Sequence, residues 1–166
     1  MNEMHDEIAA LAVRVSRLLE ARGVRLAIAE SCTGGWISKA LTDIPGSSAW
    51  FEYGFVTYGD VAKTDMLGVD PELLAQHGAV SREVATAMAM GARVVSSADV
   101  AVAVTGIAGP DGGSPDKPVG TVWLAWVGPE RRETIRVETF AGDRDAVRSQ
   151  TVIAALNGVL RQLADG

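Results

Sequence analysis

The chain has 166 residues with a formal net charge of −6; 48% are hydrophobic and 22% charged. That length and composition suit one globular domain with a real core, expected here over residues 1–166, and the acidic balance argues against a nucleic-acid partner, which needs a basic field. No apolar run approaches the roughly 18 residues that span a bilayer, so no membrane partner is expected. One cysteine, Cys32, leaves no disulfide framework, and His5 and His77 without a second cysteine leave no zinc site.

Ile8, Leu11, Val15, Leu18 and Leu19 recur at three- and four-residue spacings, which predicts an amphipathic helix over about 3–22, closed near Gly23. The segment Met1–Glu7 is acidic and lacks the basic-then-apolar order of a signal peptide, which points to the cytoplasm. A buried strand is expected at 25–29. After it come Glu30-Ser31-Cys32-Thr33-Gly34-Gly35 and a helix to about Asp43.

Such a strand–turn–helix junction presents hydroxyls and a thiol beside amides that have no helical partner. It suits either a bound phosphate or an exposed nucleophile with oxyanion donors. Ile44-Pro45-Gly46-Ser47-Ser48 breaks both periodicities, and Ser47 or Ser48 is expected to cap a short helical turn; Ser48 is equally a substrate contact.

Aromatic and β-branched residues over 51–58 predict a second strand. A short helix from Asp60 to Leu67 ends at Gly68, another runs from Pro71 to His77, and Ser81 caps a longer one to about Ser96. Residues 99–104 are nearly all apolar, as in a strand covered on both faces. The loop 105–118, with four glycines and three prolines, is either ordered or a lid. Strands at about 119–127 and 132–139 form a hairpin, and a last helix runs from Arg144 to about Leu163. Alternating strands and helices with one hairpin indicate an α/β layered domain with a mixed sheet.

Ser31 is the leading nucleophile, with Cys32 its rival. With histidine scarce, the base is expected to be lysine or tyrosine, and Tyr58 and Lys63 flank the junction after the second strand. If that strand lies beside the first, both junctions open at the same sheet edge, where α/β sites form. Thr33, Gly34 and Gly35 offer backbone amides. Glu30 either orients Lys63 or a substrate hydroxyl, or pairs with a nearby amide. Thr105 and Gly106 open a loop rich in amide donors. Among cations, Arg144 is the expected anion contact, while Arg148, one turn on, reads as a solvated face. Neither a Walker loop nor a dinucleotide fingerprint is present.

Several pieces together resemble the C-terminal domain family of the competence/damage-inducible protein CinA, in its free-standing form. They are Ala29–Gly35, Pro45–Ser48, Tyr58 with Lys63, Leu67–Val69, His77–Ser81, Val104–Pro110 and Lys117–Val122. The resemblance runs from about residue 5 to 163. It implies a three-layer α/β/α sandwich with a mixed, mostly parallel sheet, commonly a homodimer. It implies an amidohydrolase that converts the carboxamide of nicotinamide mononucleotide to the carboxylate and ammonia, in pyridine-nucleotide recycling. Carried over by position, Ser31 is the nucleophile, Tyr58 and Lys63 its activating partners, and Thr105 with the following glycines contact the nucleotide substrate. No metal or organic cofactor is implied. The alternative is a non-catalytic nucleotide-binding or regulatory module that uses the same turn.

Overall fold

The computed structural model describes residues 2–165; Met1 and Gly166, the ends of the expected domain, lie outside the described residues. Five strands form one sheet: β1 (Leu26–Glu30), β2 (Phe51–Val56), β3 (Val100–Gly106), β4 (Thr121–Val127) and β5 (Glu133–Thr139), in the order β2-β1-β3-β4-β5. The β2–β1 and β1–β3 pairs are parallel, and the β3–β4 and β4–β5 pairs antiparallel. The sheet is therefore mixed, with β1, β2, β3 and β5 pointing one way and β4 the other.

The helices are α1 (Glu3–Arg22), α2 (Trp36–Thr42), α3 (Asp60–Leu67), α4 (Pro71–His77), α5 (Arg82–Ser96) and α6 (Arg144–Ala164). Alternation along β1 separates two cores. Leu26 and Ile28, with Val102, Leu124 and Trp126, face α1, α2 and α6. Ala27 and Ala29, with Ala101, Ala103 and Ala125, face α3, α4 and α5. The alanine face leaves room for α5 to lie close to the sheet, and Gly91 of α5 sits where a Cβ would fall 2.0 Å from the Leu67 carbonyl oxygen of α3. Three layers result, as the resemblance implies.

Most ends are set by local chemistry read from the sequence. Gly23 and Gly68 close α1 and α3 in the left-handed conformation, and the Ser81 side chain accepts from the Val84 N–H at the start of α5. The turn at Ser47–Ala49 is helical as expected, but Gly46 stands at its cap position and neither serine caps it. The loop after β3 is tied down. Ile107 N–H donates to the Thr121 carbonyl, Gly120 N–H to that of Ile107, and Lys117 Nζ to that of His77. Among the described residues no helix is long and apolar enough to cross a membrane.

Candidate active site

Because β1 lies between β2 and β3 in parallel, their carboxyl ends open side by side. Glu30 is level with Val56 on one side and Val104 on the other. The residues just beyond, Ser31, Thr57 with Tyr58, and Thr105, therefore emerge together at the crevice where α/β sheets place ligand sites. α3 then begins at Asp60 and its first turn carries Lys63 back over the strand ends. The resulting cleft, about 190 Å³, is lined by Ser31, Cys32, Tyr58, Lys63, Thr105 and Arg144 among others. A larger groove of about 500 Å³ between α1 and α2 contains neither Ser31 nor Lys63.

Lys63 is fully buried. Its Nζ lies 3.1 Å from Ser31 Oγ and donates to the carbonyls of Thr57 (2.8 Å) and Tyr58 (3.1 Å). Burial pushes its pKa below the ordinary lysine value; the negative charge of Asp60 opposes that shift. In the structure, Nζ donates to both carbonyls and to Ser31 Oγ; a neutral amine, with two protons for the carbonyls, would turn its lone pair to the hydroxyl. Ser31 is itself buried, and its Oγ also reaches the Tyr58 carbonyl at 3.4 Å.

Tyr58 joins the site differently from the expected activating role. Its backbone carbonyl meets Ser31 and Lys63, while the side chain is 59% exposed and its hydroxyl accepts from Arg144 Nη2 at 3.2 Å. Arg144 also donates to the Gly109 carbonyl at 2.8 Å, so it bridges the two rims of the cleft. Thr105 Oγ1 donates to the Ala79 carbonyl, which ties the end of β3 to the segment before α5. At Gly106 a Cβ would fall 2.6 Å from Val122 Cγ2, so the backbone there passes β4 as only glycine allows.

Of the roles expected for Glu30, the structure shows pairing with nearby amides. Glu30 is fully buried and touches neither Lys63 nor the open cleft. Its carboxylate accepts from Thr33 Oγ1 (2.5 Å), the amides of Gly35 (3.1 Å), Ile37 (3.0 Å) and Ser38 (2.8 Å), and Ser38 Oγ (2.8 Å). The first amides of α2 are thus spent on an internal anion, not offered to a phosphate. Among the described residues the amides left in the turn without an acceptor on another residue are those of Cys32 and Thr33; Gly34 N–H donates to the Ser31 carbonyl at 3.0 Å. Gly34 and Gly35 take φ of +60° and +100°, which the turn requires.

Cys32 belongs to the α1/α2/α6 core, and burial pushes its thiol up to about 12. A thiol so hard to ionise is a poor nucleophile. Ser48 is exposed in the turn before β2, at the opposite end of the strands from Ser31, so one chain does not bring it to this cleft. Arg148, expected as a solvated face, instead reaches the carbonyls of Cys32 and Thr33. No sequence signal marks that reach beyond its place one turn after Arg144. Among the described residues no group of three His, Cys, Asp or Glu side chains is placed to hold a metal ion.

A CinA C-terminal domain model matches residues 8–163. Nicotinamide-nucleotide amidohydrolase PncC of Escherichia coli K12 is 54% identical over 157 residues, 95% of each chain. PncC of Pseudomonas putida is 56% identical over 156 residues, 94% of this chain and 97% of that one. The crystal structure of the competence/damage-inducible protein CihA from Agrobacterium tumefaciens superposes with a TM-score of 0.91 at 47% identity, covering 95% of this chain and 96% of that one. With the family model spanning nearly the whole chain, this protein belongs to the CinA C-terminal domain family.

Proposed function

We propose that the chain is a nicotinamide-nucleotide amidohydrolase, releasing ammonia from the carboxamide of nicotinamide mononucleotide through a Ser31–Lys63 pair. The observation that carries it is the buried amine 3.1 Å from a buried serine hydroxyl. A module that only held a nucleotide would have no use for a desolvated base there. The two PncC relatives, similar over nearly their full lengths, supply the substrate.

Neutral Lys63 takes the Ser31 proton as Oγ attacks the carboxamide carbon. The oxygen, now negative, is met by the amide of Cys32, which lines the cleft. The Lys63 ammonium returns its proton to the leaving nitrogen, which departs as ammonia and leaves an ester on Ser31. Lys63 then deprotonates a water, which cleaves that ester to nicotinate mononucleotide and restores the serine. Throughout, the Thr57 and Tyr58 carbonyls hold the amine in place.

The cleft suits the pyridine ring and its carboxamide, not the entire nucleotide. The ribose phosphate then lies at the mouth, where Arg144 meets Tyr58. The test is ammonia release from the mononucleotide by wild type, Ser31→Ala and Lys63→Ala. Turnover by wild type alone supports the reading. Saturable nucleotide binding with no product from wild type, or turnover surviving in Ser31→Ala, overturns it.

A further inference from the structure

Arg148 lies in α6, four residues after Arg144, and its side chain is drawn under the nucleophile turn. Its Nε donates to the Cys32 carbonyl and its Nη2 to the Thr33 carbonyl, both at 3.1 Å. The guanidinium also lies over Trp36, 5.6 Å from the ring centroid. A planar, permanently charged group with a fixed donor spacing clamps two successive carbonyls as no flexible ammonium does.

The peptide unit is planar and trans, so fixing a carbonyl also fixes the N–H on the far side of the same bond. The Thr33 carbonyl shares its peptide with Gly34 N–H, which is already satisfied by the Ser31 carbonyl. The Cys32 carbonyl shares its peptide with Thr33 N–H, which is fully buried, while Cys32, whose own N–H donates to no other described residue, lines the cleft. Elsewhere the turn is held from within, by Glu30 on the amides of Gly35, Ile37 and Ser38. Among the described residues, the Cys32–Thr33 peptide takes its hydrogen bond from Arg148.

We propose that Arg148 is a positioning residue for the amidase reaction: by clamping the Cys32 and Thr33 carbonyls, it holds in place the turn that presents Ser31 and the Cys32 N–H to the cleft. Arg148 itself does not touch the substrate. Gly34 fits the same arrangement, since a Cβ there would stand 3.4 Å from Arg148 Nη2. The inference rests on the Ser31–Lys63 reading above.

The experiment measures kcat and KM for the mononucleotide in Arg148→Met and Arg148→Lys, with and without millimolar guanidinium, beside Ser31→Ala and with thermal melts of each. Loss of a whole oxyanion donor costs about 10²–10³ in turnover, so a misaimed one should cost roughly 10–100-fold in kcat. KM should hold within about threefold, and guanidinium should restore part of kcat in Arg148→Met. Arg148→Lys keeps the charge but not the fork, and should also lose kcat; it carries the test if Arg148→Met does not fold. Unchanged kcat, a loss confined to KM, or a loss that tracks the folded fraction without rescue overturns the proposal. If Ser31→Ala is inactive while Arg148 variants behave as wild type, the inference alone fails. Turnover in Ser31→Ala would instead remove the reading beneath it.

Discussion

The amine of Lys63 and the hydroxyl of Ser31 stand 3.1 Å apart, although 32 positions separate them in the chain. Parallel pairing of β1 with β2 closes that distance, and burial there lowers the pKa of the lysine.

As the proposed base, Lys63 must be neutral, so kcat/KM should rise with pH through its lowered pKa. Asp60 holds that value up. Asp60→Asn should therefore ease deprotonation and move the acid limb of the pH–rate profile to lower pH. An unmoved limb, or one displaced upward, would assign it to another group.

The same shift has a stability consequence. The unfolded chain protonates Lys63 up to the ordinary lysine range, about 10.4, while the folded chain releases that proton earlier. Between the two values the unfolded state binds more protons, so unfolding free energy rises with pH. Below the folded value the full burden of the buried amine is felt. Melts of wild type against Lys63→Met across neutral to alkaline pH should show wild type gaining relative stability as pH rises.

Cys32→Ala should keep turnover near the wild-type level. Its thiol, pushed up to about 12, stays protonated at working pH and packs in the core. Thiol-directed alkylation of the native protein at neutral pH should be correspondingly slow by mass spectrometry. An inactive Cys32→Ala that melts like wild type would move the nucleophile to sulfur.

Glu30→Gln replaces an acceptor-only carboxylate with a group that must turn an NH₂ toward amide and hydroxyl donors. At least one charge-assisted bond is lost and one buried donor is left unmatched, costing about 2–3 kcal/mol. For a chain this size, thermal melts should then show Tm falling by roughly 4–12 °C.

Arg144→Ala should raise KM for the mononucleotide by roughly 10–100-fold, the worth of one charged hydrogen bond to phosphate. Turnover of the riboside, which lacks the phosphate, should be little changed. Equal losses on both would tie Arg144 to the cleft rims it bridges, through Gly109 and Tyr58, and not to the phosphate.

Helix ends were legible because their signals are local. A left-handed glycine at 23 or 68, or a serine hydroxyl at 81, acts within one turn of its own position. Pairing Ser31 with Lys63 was legible for a related reason: strand–helix junctions on neighbouring parallel strands open at one edge. The atom that Tyr58 contributes was not, since residue identity announces a phenol whereas the fold uses the carbonyl. Nor was the fate of the first α2 amides, which depends on a carboxylate buried just before the turn.

Periodicity, breakers and caps, all short-range, therefore determined the order of elements and the mixed α/β class, and placed Ser31 and Lys63 at neighbouring strand–helix junctions. Tertiary structure alone decided which groups face the cleft. Arg148 lies 115 positions from Thr33, and its partner is set only when α6 docks beside the turn. Ser48 is carried to the far end of the strands by the same pairing that brings Lys63 to Ser31. Local preference acts over one turn of chain, while contact between distant residues depends on which faces the sheet and its helices bury together.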